Sequence, residues 1–152
     1  MSDSELELAR SRAMAMFDDD LASQLAGISI VDVAPGRATA TMTVSEQMIN
    51  GHELCHSGYI FMLADTAFAL ACNTHGLATL PQACDIVFVR PARLGDELVA
   101  TAVERHRYGL NGIYDIAVRD SGEIVAEFRG KSRSLRPGEK LPEPPTRREG
   151  QP

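Results

Sequence analysis

Residues 58–73 read GYIFMLADTAFALACN, and between Tyr59 and Cys72 only Asp65 and Thr66 are not apolar. Alanine, leucine and methionine favour helix, and a helix apolar on every side is one that the rest of the protein encloses. The run is too short to span a bilayer and contains a carboxylate, so it predicts a long buried central helix over 58–74 and no membrane partner. The flanking sequence supplies what encloses it. Upstream the period changes to two. Ile28, Ile30 and Asp32 alternate with Ser29, Val31 and Val33, Pro35-Gly36 turns the chain, and Ala38, Ala40, Met42 and Val44 alternate with Arg37, Thr39, Thr41 and Thr43. This is an antiparallel hairpin with one wet face. Downstream, strands are expected over 82–91, 96–108, 112–119 and 123–135, the last three joined as a meander by Asn111-Gly112 and Ser121-Gly122. A helix over 4–17, with Leu6, Ala9, Ala13, Met14 and Phe17 on one face, and a short helical turn near 19–26 precede the hairpin. The fold class is α+β, one central helix wrapped by a curved antiparallel sheet of five to six strands, in a single domain over 1–136. Residues 137–152 hold five of the eight prolines and several charges, and predict a disordered tail without a catalytic role.

At 152 residues, with 44% hydrophobic and 24% charged side chains, the composition is that of one ordinary globular domain. The formal net charge of −6 gives no overall field attractive to phosphates, which argues against a nucleic-acid partner. Much of the acidity is local: residues 1–20 carry Asp3, Glu5, Glu7, Asp18, Asp19 and Asp20 against Arg10 and Arg12. Cys55, Cys72 and Cys84 cannot all pair and form no C-x-x-C. With no basic segment leading into an apolar stretch at the N-terminus, a reduced, cytoplasmic compartment is the expectation.

Just before the central helix stands His52-Glu53-Leu54-Cys55-His56, which spells H-E-x-x-H. That zinc-hydrolase pattern works on a helix, where both histidines share a face and the glutamate acts as base. Here Asn50-Gly51 precedes it and Ser57-Gly58 follows, both pairs favouring turns and helix ends. A third ligand is also required, and His75 lies about 28 Å from His56 along the predicted helix. No metal is expected.

Asp65 is the more informative residue. A carboxylate within an apolar helix must be paired, neutral or functional; it could cap another segment or face a solvent channel, or it could be a catalytic group. At the helix start, Ser57 and Gly58 offer backbone N–H groups without internal acceptors, at the positive end of the dipole. Ser57 is either an ordinary N-cap or part of an oxyanion hole. Eight residues of helix separate Ser57 from Asp65 by about 12 Å, whereas two groups serving one carbonyl should each lie about 3 Å from it. If they cooperate, donor and carboxylate come from different subunits, and the protein is at least a dimer.

Beyond these arguments, several stretches resemble a known family. Asn50-Gly51-His52, Cys55-His56-Ser57-Gly58, the helix from Ile60 to Ala69, Ala71-Cys72-Asn73, Phe88-Val89-Arg90-Pro91, Gly95-Asp96, Tyr114-Asp115-Ile116 and Phe128-Arg129-Gly130-Lys131-Ser132 are similar to hotdog-fold acyl-CoA thioesterases of the PaaI type, associated with phenylacetate degradation. The resemblance implies a hotdog fold and a thioesterase that hydrolyses aryl- or arylacetyl-CoA, phenylacetyl-CoA-like, to free acid and coenzyme A. It implies Asp65 as general base or nucleophile, the Ser57 N–H as the group polarising the carbonyl, and Asn50 and His56 as orienting the carbonyl or the lytic water. It also implies a site shared across a homodimer, in a dimer-of-dimers homotetramer, with coenzyme A as substrate and no cofactor. One departure is visible: the family usually has His-Gly-Gly where this chain has His56-Ser57-Gly58. A requirement for φ > 0 at position 57, or crowding by the added Cβ, would restrict activity or acyl size. Since coenzyme A carries phosphates, Arg90, Arg93, Arg129 and Lys131 are candidate contacts, each of which could instead be a solvated strand residue, as could Arg105, His106, Arg107 and Arg133. The alternatives are a non-catalytic acyl-CoA sensor and a hotdog enoyl-CoA hydratase or dehydratase.

Overall fold

The computed structural model describes residues 1–141 and 143. Helix α1 (Asp3–Asp18) and the short α2 (Leu21–Leu25) lead into the hairpin β1 (Ser29–Ala34) and β2 (Arg37–Thr43). The central helix α3 (Ser57–Cys72) follows, closed by a 3-10 turn over Asn73–His75, and then β3 (Thr79–Phe88), β4 (Glu97–Tyr108), β5 (Asn111–Asp120) and β6 (Glu123–Ser134). All six strands form one antiparallel sheet in the order β1-β2-β4-β5-β6-β3. Having crossed the sheet as α3, the chain re-enters at the edge opposite β1, so β3 pairs with β6 alone. This is the hotdog fold. Among the described residues no helix is long and apolar enough to cross a membrane.

The core lies between α3 and the inner face of the sheet. Leu63, Ala64, Ala67, Phe68, Leu70 and Ala71 are fully buried there, against Ala40, Met42, Ala100, Ala102, Ile116 and Val118. Phe68 meets Tyr114 and Phe128 with ring centroids 5.4 and 6.0 Å apart. A Cβ at Gly130 would come within 2.7 Å of the Phe68 ring, so a bare backbone at that point of β6 lets the helix settle onto the sheet. At the far end of α3 the Glu104 carboxylate accepts from Tyr114 Oη at 2.7 Å and meets His75 Nε2 at 2.6 Å, pinning the helix terminus to β4 and β5.

Three details depart from the sequence pattern. A bulge between Ile30 and Asp32 makes Val31 an extra residue, so the alternation inverts: Val33 is buried, while Asp32 faces out and bonds Arg10 at 3.2 Å. Strand β3 starts at Thr79 rather than 82, running through Pro81, which an edge strand tolerates because one side needs no ladder donor. It also ends earlier, as the N–H groups of Val89 and Arg90 both turn onto the Val125 carbonyl. Finally, α3 is not covered on all sides. Met62, Asp65 and Ala69, at helical spacing, form a half-buried stripe that the chain's own sheet leaves open. Of the proline-rich tail, the described part opens with a turn over 136–139, held by Arg133 and Glu139. Residues 142 and 144–152 lie outside the described residues.

Candidate active site

The loop before α3 is fixed by backbone. Cys55 donates to the Ala92 carbonyl at 2.8 Å and His56 to the Met48 carbonyl at 2.7 Å, which sets where the helix begins. Glu53 has φ 60 in this loop, so the H-E-x-x-H residues sit in a turn and its histidines do not share a helix face. Among the described residues no group of three His, Cys, Asp or Glu side chains could hold a metal.

Helix α3 is capped by His56, not by Ser57. The imidazole Nδ1 accepts the Gly58 N–H at 2.9 Å, which places the proton of the neutral ring on Nε2. A Cβ at Gly58 would lie 2.9 Å from that nitrogen, so glycine makes room for the cap. Ser57 is consequently the first helical residue, with ordinary right-handed geometry; φ > 0 is not needed there, and serine in place of glycine carries no backbone strain. Its N–H has no acceptor among the described residues. It opens onto a cleft of about 250 Å³ whose walls include Asn50, Ser57, Ile60, Phe88, Arg90 and Pro91.

Asn50 enters this cleft with a defined orientation. Its Oδ1 accepts the N–H groups of His52 at 2.8 Å and Leu54 at 3.2 Å. Because both partners are obligate donors, the oxygen is committed to the loop and the Nδ2 group is the end left for a ligand. Two donors, the Asn50 amide and the Ser57 N–H, therefore line one wall at the positive end of α3, where negative charge developing on a carbonyl oxygen is stabilised.

Asp65 is elsewhere. It lies two helical turns along, on the half-buried stripe, outside the cleft walls, and it has no hydrogen-bond or ion-pair partner among the described residues. Burial raises its carboxyl above the ordinary range, and the nearby Asp20 carboxylate adds to this. A single chain thus brings Asn50 and Ser57 together and leaves Asp65 apart, as the helical separation requires.

The basic candidates divide. Arg90 lines the cleft but is tied to Glu123 and, at 3.9 Å, to Asp120, with its Nε buried and unpartnered. Arg93 is exposed in the adjoining loop. Arg129 forms a two-bond pair with Asp115 at 2.6 and 2.9 Å on the outer face of β6, where Lys131 also projects. The Arg129 pair holds the Asp115 carboxyl below the usual carboxylate range, with Arg105 adding to the effect. A surface depression of about 590 Å³ beside Asp96, Glu97, Arg119 and Asp120 includes none of the four candidate catalytic residues. Of the thiols, Cys55 and Cys72 are buried, and burial pushes Cys72 up to about 12, while Cys84 on the edge strand β3 is exposed.

Residues 52–126 match the thioesterase superfamily. The acyl-coenzyme A thioesterase PaaI of Escherichia coli is 48% identical over 128 residues, covering 84% of this chain and 91% of that protein. A putative esterase of Archaeoglobus fulgidus is 34% identical over 76% of this chain and 75% of its own length. The structure of the E. coli PaaI protein, from the phenylacetic acid degradation operon, superposes with a TM-score of 0.84, covering 86% of this chain and 95% of that one at 46% identity. A mutant of the phenylacetic acid degradation protein PaaI from Thermus thermophilus gives a TM-score of 0.73, covering 74% and 97%, at 32% identity.

Proposed function

The chain belongs to the thioesterase superfamily as an acyl-CoA thioesterase, and we propose that it hydrolyses aryl- or arylacetyl-CoA thioesters at a site shared between two copies. One observation carries the shared site: among the described residues, the cleft that gathers Asn50 and Ser57 lacks a base, while Asp65 stands unpartnered on a half-buried helix stripe. The free edge of β3 supports the same reading. It presents Val87, Phe88 and Val89 to solvent at 58%, 45% and 58% exposure, beside the cleft, and such an edge is a template for pairing with another strand. Two copies joined there, with their α3 helices antiparallel, bring the Asp65 of one toward the donors of the other, and two such dimers make the proposed tetramer.

In this site the thioester carbonyl oxygen points at the Ser57 N–H and the Asn50 Nδ2. The partner copy's Asp65 acts either as general base, taking a proton from water whose oxygen bonds the carbonyl carbon, or as nucleophile, bonding that carbon itself. Charge gathers on the carbonyl oxygen, the C–S bond breaks, and coenzyme A leaves as a thiolate that is then protonated; in the nucleophilic route water then hydrolyses the mixed anhydride, releasing the acid and restoring the Asp65 carboxylate. His56 acts mainly by capping α3, with its Nε2–H free for the substrate or water. Arg90 and Arg93 are placed to meet the phosphates of coenzyme A near the cleft mouth, whereas Arg129 and Lys131 would have to reach them from the sheet's outer face. No cofactor enters the scheme.

The arylacetyl preference draws on the phenylacetic acid operon named for the E. coli relative and on the apolar cleft walls Ile60, Phe88 and Pro91. A thiol-release panel over aryl, arylacetyl and straight-chain CoA esters tests it. The highest kcat/KM should fall on phenylacetyl-CoA, and a clear preference for straight chains would overturn the assignment.

Asn50→Asp isolates the donor. The aspartate keeps an acceptor for His52 and Leu54, so the loop and the melting temperature should change little. It replaces the Nδ2 donor with a negatively charged oxygen facing the oxyanion. Losing one such donor costs about 10²–10³ in kcat, and activity close to wild type would remove Asn50 from the site.

A further inference from the structure

The approach to Asp65 from the N-terminal segment carries an arrangement that the reaction scheme has not used. Asp20 is the N-cap of α2: its Oδ1 accepts the Ser23 N–H at 3.0 Å and its Oδ2 meets the Ser23 hydroxyl at 2.6 Å. Ser23, 2% exposed, meets the Thr66 hydroxyl at 2.9 Å, and Thr66 Oγ1 lies 2.8 Å from the Met62 carbonyl. Thr66 directly follows Asp65 on α3. Each hydroxyl has one proton, and a carboxylate at 2.6 Å takes that of Ser23 in preference to a neutral oxygen. Thr66 donates its own proton to the Met62 carbonyl, and the contacts run from Asp20 through Ser23 to Thr66. They tie the α1–α2 junction to the turn of α3 that presents Asp65.

We infer that Asp20 is a positioning residue for the thioesterase reaction: through Ser23 and Thr66 it fixes the turn of α3 that carries Asp65, and it sets its own charge beside that carboxylate. This rests on Asp65 being the base or nucleophile. Asp20 opposes ionisation of Asp65, in the same direction as burial, and so makes the ionised form a stronger base. The other titratable groups within electrostatic range of Asp65 are Cys84 on β3 and Cys72 on α3 itself, and burial raises both thiols, so they stay neutral at the pH of assay. Among the described residues of one chain, Asp20 is therefore the charge that acts on Asp65.

The chemistry of the chain supplies a clean variant. In Asp20→Asn the amide oxygen still accepts the Ser23 N–H, and asparagine caps helices as well as aspartate does. Its NH₂ group donates to Ser23 Oγ, which then donates to Thr66, and Thr66 to the Met62 carbonyl. Every heavy-atom contact survives with only the Ser23 proton redirected, and the charge is lost. Asp20→Ser, also neutral with a capping oxygen, serves if the first variant does not fold.

The experiment is the pH dependence of kcat/KM on the best thioester of the panel, alongside melting temperatures, for wild type, Asp20→Asn and Asp65→Asn. Asp20→Asn should melt with wild type, while its acid limb moves to lower pH and its plateau falls by less than about tenfold, as a weaker base requires. An unmoved acid limb in a folded Asp20→Asn protein, with Asp65→Asn inactive, overturns the role of Asp20 and leaves the base assignment standing. Turnover retained in Asp65→Asn overturns the base assignment, and this inference with it.

Discussion

Asp65→Asn should abolish thiol release and raise the melting temperature together. The first effect follows if Asp65 activates the attack: removing a general base costs about 10²–10⁴ in rate, and an amide cannot substitute for it. The second follows from where the carboxylate sits. It is half-buried, has no partner among the described residues, and is held above the ordinary carboxylate range by burial first and by Asp20 second. A carboxyl that holds its proton more tightly in the folded state favours folding at pH below its unfolded value, and that contribution disappears as pH rises through the folded value. At neutral pH the ionised group opposes folding, and the neutral, nearly isosteric asparagine relieves this. For a chain of this length each kcal/mol recovered shifts the melting temperature by about 2–4 °C. Near pH 3 the two proteins should melt alike, and the gap should open toward neutrality. A destabilised Asp65→Asn would show that the carboxylate is a structural partner in the folded protein.

Mixing two inactive proteins should restore activity. If donors and base come from different copies, a dimer of one Asn50→Asp chain and one Asp65→Asn chain has one doubly damaged site and one intact site. Random pairing of equal amounts makes half of the dimers mixed, so about a quarter of all sites recover. Coexpression with two different affinity tags, followed by sequential purification, isolates the mixed species, in which about half of the sites should be active if they are dimers and about two-sevenths if dimers pair at random into tetramers. A site built within one chain gives no recovery at all, so the two outcomes differ by the full catalytic effect of either lesion.

The parts of this molecule that could be read from residues alone are those whose cause is local. The apolar run from Tyr59 to Cys72 allowed one interpretation, and Ser121-Gly122 marked the β5–β6 turn, where both residues have positive φ. The β4–β5 turn, expected at Asn111-Gly112, is instead Gly109-Leu110, with Gly109 at φ 58 and Asn111-Gly112 paired within β5. Asp65 stood out because a carboxylate in such a run lacks an inexpensive structural explanation. The bulge at Val31 was hidden, since the register of β1 is set by its pairing with β2 and not by its own alternation. So was the open stripe of α3: hydrophobicity on every side marks a helix as covered, without saying whether its own chain or another does the covering. The sequence left Ser57 open as an N-cap or an oxyanion donor, and only the reach of the His56 ring past a residue without Cβ reveals that His56 is the cap. Asn50 entered through family resemblance; that its oxygen is committed and its nitrogen free appears only once the His52 and Leu54 N–H groups are located. Asp20-x-x-Ser23 is a visible capping pattern, but its link to Thr66 spans 43 positions and belongs to the tertiary fold.

The open stripe and the bare edge of β3 give dilution a meaning for this enzyme. On the proposed reading a lone chain holds two incomplete halves of a site, and β3 has one free edge, with Val87, Phe88 and Val89 uncovered. In the proposed assembly, the surface that completes the chemistry is the same one that shields the protein from indiscriminate strand pairing. Folding, self-recognition and turnover would then respond to a single variable, the number of copies present in the cell.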